Sequence, residues 1–104
     1  PRKIYVVIGH QGEDVKEAVL EELNEEHAEF AWQNEQLGTG HAVNSARQFL
    51  ENTDSTLLVL SGDVPMIRAE TLAALVQKHH THRGRGAACT ILTVNLSDPT
   101  GYGR

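Results

Sequence analysis

Cysteine is all but absent: Cys89 is the only one in 104 residues. No internal disulfide can form, which agrees with a reducing compartment. Cys89 lies in the run Ala87-Ala88-Cys89-Thr90-Ile91-Leu92 and is expected to be a small buried hydrophobe rather than a nucleophile. No apolar run approaches the ~18 residues of a membrane-spanning helix. No basic stretch followed by an apolar one marks a secretion signal. A cytoplasmic location and no membrane span are therefore expected. Basic side chains are outnumbered, 9 against 14 acidic, for a formal charge of −5. A net acidic domain is a poor general binder of nucleic-acid backbone, so no nucleic-acid partner is expected. Internal repeats, linkers and low-complexity segments are also missing.

What is present suits one small globular domain: 39% hydrophobic and 22% charged residues, a balance that argues against disorder. Eight of the 14 acidic residues (Glu13, Asp14, Glu17, Glu21, Glu22, Glu25, Glu26, Glu29) crowd into one segment, which reads as a solvated helix face. Ile4-Tyr5-Val6-Val7-Ile8 is a continuous run rich in β-branched residues, ended by Gly9, and predicts a strand buried on both faces. Gly12 to about Glu26 carries Val15, Val19 and Leu23 on one helical stripe. A second strand is expected over Glu29–Gln33, a loop over Asn34–Gly40 and a helix over His41–Glu51. Thr56–Leu60 reads as another buried strand, Ala69–His80 as a helix, and Ala87–Leu96 as the last strand. The order β-α-β-α-β-α-β implies a Rossmann-like, mostly parallel sheet with flanking helices. In such sheets ligands bind beyond the carboxyl ends of the strands.

Three stretches occupy that position. Gly9-His10-Gln11-Gly12 follows the first strand as a tight turn. Gln33 to Ala42 follows the second, and there Gly38 and Gly40 flank Thr39 at a helix start. Backbone N–H groups there suit an anion or a base edge. Gln33 and Gln36 supply amides that donate and accept at once, as a uracil edge requires. The plainer reading is a helix capped near Thr39. Ser61-Gly62-Asp63-Val64-Pro65 follows the third strand. A carboxylate there suits a hard cation, since Mg²⁺ takes one or two carboxylates plus phosphate oxygens. Gly62 permits close approach of a ligand. The plainer reading gives Asp63 an Asx-turn or a cap. His79, His80 and His82 read as cations at a helix C-terminus rather than as a metal set.

Together, Glu35-Gln36-Leu37-Gly38-Thr39-Gly40-His41-Ala42, Gly62-Asp63-Val64-Pro65 and Leu92-Thr93-Val94 running to Asp98-Pro99-Thr100-Gly101-Tyr102-Gly103-Arg104 closely resemble one family. It is the uridyltransferase domain of the bacterial bifunctional N-acetylglucosamine-1-phosphate uridyltransferase/glucosamine-1-phosphate acetyltransferases. The resemblance spans nearly the whole chain. It implies a nucleotide-diphospho-sugar transferase fold and a reaction that joins UTP and N-acetylglucosamine 1-phosphate into UDP-N-acetylglucosamine and pyrophosphate. That product feeds peptidoglycan and lipopolysaccharide synthesis. By resemblance Gln33 reads uracil, Gly38 and Thr39 touch the nucleotide, Asp63 holds the catalytic Mg²⁺ and Gly103 contacts the sugar. Ser61 and Gly62 complete the expected substrate contacts, although relatives often carry tyrosine where Ser61 stands. In-line attack on a phosphorus needs no covalent enzyme intermediate, which suits a chain without an evident nucleophile.

The family's phosphate loop, second Mg²⁺ ligand and β-helix acetyltransferase domain have no counterpart in residues 1–104, which are thus expected to be part of a uridyltransferase domain and inactive in isolation. The ends, Pro1 and Arg104, read as cuts. The family's first strand would sit between the strands matching 4–8 and 56–60. The resulting gap is expected to close by rearrangement or by a second copy of the chain. The family is homotrimeric. Two alternatives stay open: a non-catalytic α/β module that binds a nucleotide or a protein, and a nucleotidyltransferase for another sugar phosphate.

Overall fold

The computed structural model describes residues 3–51 and 54–101. The chain divides into two compact units, Pro1–Leu57 and Leu58–Arg104. The class is α/β, with a parallel sheet and flanking helices.

In the first unit, strand β1 (Ile4–Ile8) leads into helix α1 (Gly12–Glu22), which returns the chain to strand β2 (Ala28–Trp32). The two strands pair in parallel, from Ile4 opposite Ala28 to Ile8 opposite Trp32. Parallel neighbours need such a crossover, and α1 supplies it. Helix α2 (Thr39–Ser45) and the single turn α3 (Arg47–Leu50) follow. The buried apolar residues among those described are Ile8, Ala28, Ala31 and Ala46. Small alanines there let helix and sheet approach closely. Ile4 to Val7 are half-buried rather than covered on both faces. Tyr5 stacks on Phe49 of α3, with ring centroids 5.4 Å apart and planes within 16°. Across the sheet, Lys3 Nζ pairs with Glu29 Oε1 at 2.7 Å.

Helix α1 starts after Gln11, which adopts a left-handed conformation (φ 59°), and after a turn in which Gly12 N–H donates to the Gly9 carbonyl at 3.0 Å. Glu13 and Asp14 stand in its first turn, where they complement the positive helix end. The acidic residues of α1 are exposed, as a solvated face requires. The helix expected over His41–Glu51 is broken: Ala46 leaves helical geometry (φ −89°, ψ 1°) and separates α2 from α3.

The second unit is built on helix α4 (Ala69–Thr81), one residue longer than expected and followed by a 3₁₀ turn, His82–Gly84. Glu70 in its first turn and Lys78, His79 and His80 in its last suit the helix dipole. Past the helix end the chain turns back through Gly86 (φ 79°), and Ala87 N–H donates to the His79 carbonyl at 2.7 Å.

Two expected strands are not formed among the described residues. Leu57 to Leu60 and Ile91 to Leu96 are neither laddered nor covered. Val59 is 59% exposed and Ile91 76%. Hydrophobic patterning says that a segment favours burial, but a strand exists only where a neighbour accepts its N–H groups. Neither tract pairs into a sheet among the described residues, where β1 and β2 form the one ladder. Cys89, expected inside with the last strand, is exposed for the same reason. No helix of the described residues is long and apolar enough to cross a membrane.

Candidate functional site

The two parallel strands end side by side, and the residues that follow them form a polar cluster in the first unit. Gln33 is fixed there by the sheet: its N–H extends the ladder one residue past β2 by donating to the Ile8 carbonyl at 2.8 Å. The loop after it is compact, with Leu37 N–H donating to the Glu35 carbonyl at 3.0 Å. It then turns into α2 through Gly38, whose φ of 99° lies in the region that favours glycine. The Gly38 carbonyl accepts the Ala42 N–H at 3.1 Å and starts the helix.

The Gln33 side chain folds back over this turn. Its Nε2 lies 3.0 Å from His41 Nδ1 and 3.4 Å from the Gly38 carbonyl oxygen. The Ser45 hydroxyl donates to the His41 carbonyl at 3.0 Å, one turn along α2. Gln36 reaches the turn after β1: a β-carbon added to Gly9 would lie 3.4 Å from Gln36 Nε2. Gln33, Gly38, Thr39 and His41 are thus gathered at the carboxyl end of the sheet, where the topology places ligands.

Gly38, not Thr39, is the cap residue of α2, and no side chain closes the helix start. With seven residues, α2 is too short to act as an anion-binding helix end. What the loop offers instead is side-chain and backbone hydrogen bonding held by Gly38. Beside it, a shallow cavity of about 400 Å³ is lined by Gly40, Val43, Asn44, Arg47, Leu50 and Glu51. His10 is exposed in the turn after β1.

Ser61, Gly62 and Asp63 belong to the second unit. They form a tight turn in which Val64 N–H donates to the Ser61 carbonyl at 3.3 Å, and all three are exposed. Nothing lies within 4 Å of a β-carbon built on Gly62. The open backbone and the unburied Asp63 carboxylate leave room for an approaching ligand. No group of three or more metal-ligating side chains exists among the described residues.

Gly103 lies outside the described residues. The turn before it is closed by Asp98, whose Oδ1 accepts the Thr100 hydroxyl at 2.6 Å and the Thr100 N–H at 3.0 Å. These two hydrogen bonds, the hydroxyl first, hold the Asp98 carboxyl below the usual aspartate range. At the end of α4, His79 Nδ1 lies 3.2 Å from Thr90 Oγ1, and the rings of His79 and His80 meet edge to face. The partnership of His41 with Gln33 has no local signal in the sequence. They stand eight positions apart in sequence, and the loop between them turns through Gly38.

The family model described as nucleotidyl transferase matches residues 1–104. A bifunctional protein GlmU of Synechococcus sp. (strain CC9902) is 49% identical over 104 residues, which is 100% of this chain and 22% of that protein. The bifunctional protein GlmU of Syntrophotalea carbinolica is 52% identical over 99 residues, 95% of this chain and 20% of its own length. That of Shouchella clausii is 45% identical over 102 residues, 98% of this chain and 21% of its own. The chain spans about a fifth of the length of the curated relatives it matches. No solved structure matches it significantly. A match from one end of the chain to the other makes this chain a member of the nucleotidyl transferase family.

Proposed function

We propose that the natural protein carrying this sequence transfers a uridylyl group from UTP to N-acetylglucosamine 1-phosphate, releasing pyrophosphate and giving UDP-N-acetylglucosamine. Residues 1–104 supply part of its uridyltransferase domain. The observation that carries this reading is the placement of the Gln33 amide, anchored by the β1–β2 ladder and turned over the Gly38 loop. A rigid amide beyond a parallel sheet suits the imide edge of a uracil ring. The resemblance set out above supplies the reaction and the acceptor, and relatives that share about half of their matched residues with this chain support it.

Within this reading Gln33 faces the base, and Gly38 and Thr39 line the nucleotide. Ser61 and Gly62 border the substrate, and Gly103 approaches the sugar. Asp63 would hold Mg²⁺ through its carboxylate. The bound cation would neutralise phosphate charge and help align the reacting groups. The chain's own contribution is positioning, which for an in-line displacement is most of what a protein can add. Supply of UDP-N-acetylglucosamine to peptidoglycan and lipopolysaccharide synthesis, a cytoplasmic location and a homotrimeric assembly belong to the same reading.

The test is direct. The natural protein, given UTP, N-acetylglucosamine 1-phosphate and Mg²⁺, should release pyrophosphate, and Gln33→Ala should raise KM for UTP. Release with a different sugar phosphate only would shift the acceptor. No release with any would leave a non-catalytic nucleotide-binding module.

A further inference from the structure

Resting on the reading that Gln33 faces the base, we propose that His41 is a positioning residue. With the Gly38 carbonyl, it holds the Gln33 amide with its oxygen end offered to the base and thereby favours a base with a ring N–H over one with a ring acceptor. A glutamine amide has a donor end and an acceptor end, and a free one can turn over to suit either kind of base. Here one end is committed. It faces the Gly38 carbonyl oxygen at 3.4 Å and His41 Nδ1 at 3.0 Å.

A carbonyl oxygen only accepts, so the end turned toward Gly38 is the NH₂ group. Its two hydrogens then have two acceptors, Gly38 O and His41 Nδ1. The latter is consequently the bare ring nitrogen, and the imidazole proton resides on Nε2. The end left over is Oε1, a pure acceptor. Both partners of the NH₂ group are themselves held: the Gly38 carbonyl also takes the Ala42 N–H at 3.1 Å, and the Ser45 hydroxyl tethers the His41 carbonyl at 3.0 Å.

An acceptor presented to a pyrimidine pairs with the N3–H of uracil. Cytosine places a lone pair at N3, so two acceptors would face each other. To bind cytosine the amide would have to turn over, set Oε1 against the Gly38 carbonyl and force the His41 ring proton from Nε2 to Nδ1. A site that holds its polar group in one orientation rejects the wrong partner because that group is left unpaired.

The experiment compares kcat/KM for UTP and CTP in the natural protein carrying this sequence, in wild type, His41→Leu and His41→Asn. Leucine removes the acceptor, whereas the asparagine oxygen lies near the place of Nδ1. We expect His41→Leu to narrow the UTP-to-CTP ratio about tenfold, the scale of one hydrogen bond. His41→Asn should keep most of the preference. An active His41→Leu with an unchanged ratio would overturn the inference while leaving the proposed function intact. Wild type that uses neither nucleotide would overturn the function, and the inference with it. If His41→Leu does not fold, the long-range ¹H–¹⁵N spectrum of the wild-type histidines decides. A proton on His41 Nε2 supports the arrangement, and a proton on Nδ1 overturns it.

Discussion

The ring of Trp32 fills the space that a side chain on Gly12 would need: a β-carbon built there would lie 2.7 Å from Trp32 Cζ3 and 3.2 Å from Ile8 Cβ. The first residue of α1 is therefore glycine because the last residues of both strands close over it. Gly12→Ala should lower stability by about 1–3 kcal/mol, the usual cost of overpacking a fitted contact. Chemical denaturation of the two proteins checks this, and an equal midpoint would mean that Trp32 swings away freely.

The turn at Asp98 predicts a pH effect with a definite sign. Its carboxylate is held below the usual aspartate range by the Thr100 hydroxyl and then by the Thr100 N–H. A depressed value means that the carboxylate favours the folded turn above its unfolded value, and that this support is lost as pH falls through the folded value. An NMR titration should place the Asp98 midpoint below that of an ordinary aspartate. Thr100→Val, which removes the hydroxyl and keeps the N–H, should raise it part of the way back.

Val59 distinguishes a covered strand from an uncovered tract. It is 59% exposed. Val59→Lys should therefore change stability by less than about 0.5 kcal/mol, as at other exposed positions. A loss of several kcal/mol would place Val59 inside a packed layer instead.

Under the proposed function, Asp63→Asn keeps the shape of the turn and removes the charge. Pyrophosphate release by the natural protein should fall on the order of a hundredfold, the scale of losing one group that offsets transition-state charge. Because Asp63 is exposed and outside any packed core, the thermal midpoint should not move. Full activity in Asp63→Asn would remove it from the cation site.

How far the fold could be read in advance varied with the kind of interaction involved. Ile4–Ile8 was legible because a β-branched run closed by glycine is a local signal, and β2 came out one residue earlier than its composition suggested. Helix α4 was legible because Leu72, Leu75, Val76 and His79 recur at helical spacing. Thr56–Leu60 forms no ladder, because an apolar pattern carries no information about which neighbour the segment will have. At the site, the positions of Gln33 and Gly38 after β2 followed from topology. The bond from Gln33 to His41 depends on how the loop turns through Gly38, and composition cannot report that.

The segment Ile91 to Ser97 runs uncovered after Thr90, which meets His79. It is alternately β-branched and apolar (Ile91, Leu92, Val94, Leu96), carries no charge, and contains no proline. Every residue from Ile91 onward in it is exposed. Such hexapeptide stretches stack into cross-β fibrils when nothing shields them. Asp98 and Pro99 stand directly after it as gatekeepers, but Thr90 to Ser97 has none within it. The purified chain should accordingly have a concentration ceiling set by this segment, and one charged residue placed at Val94 should raise it.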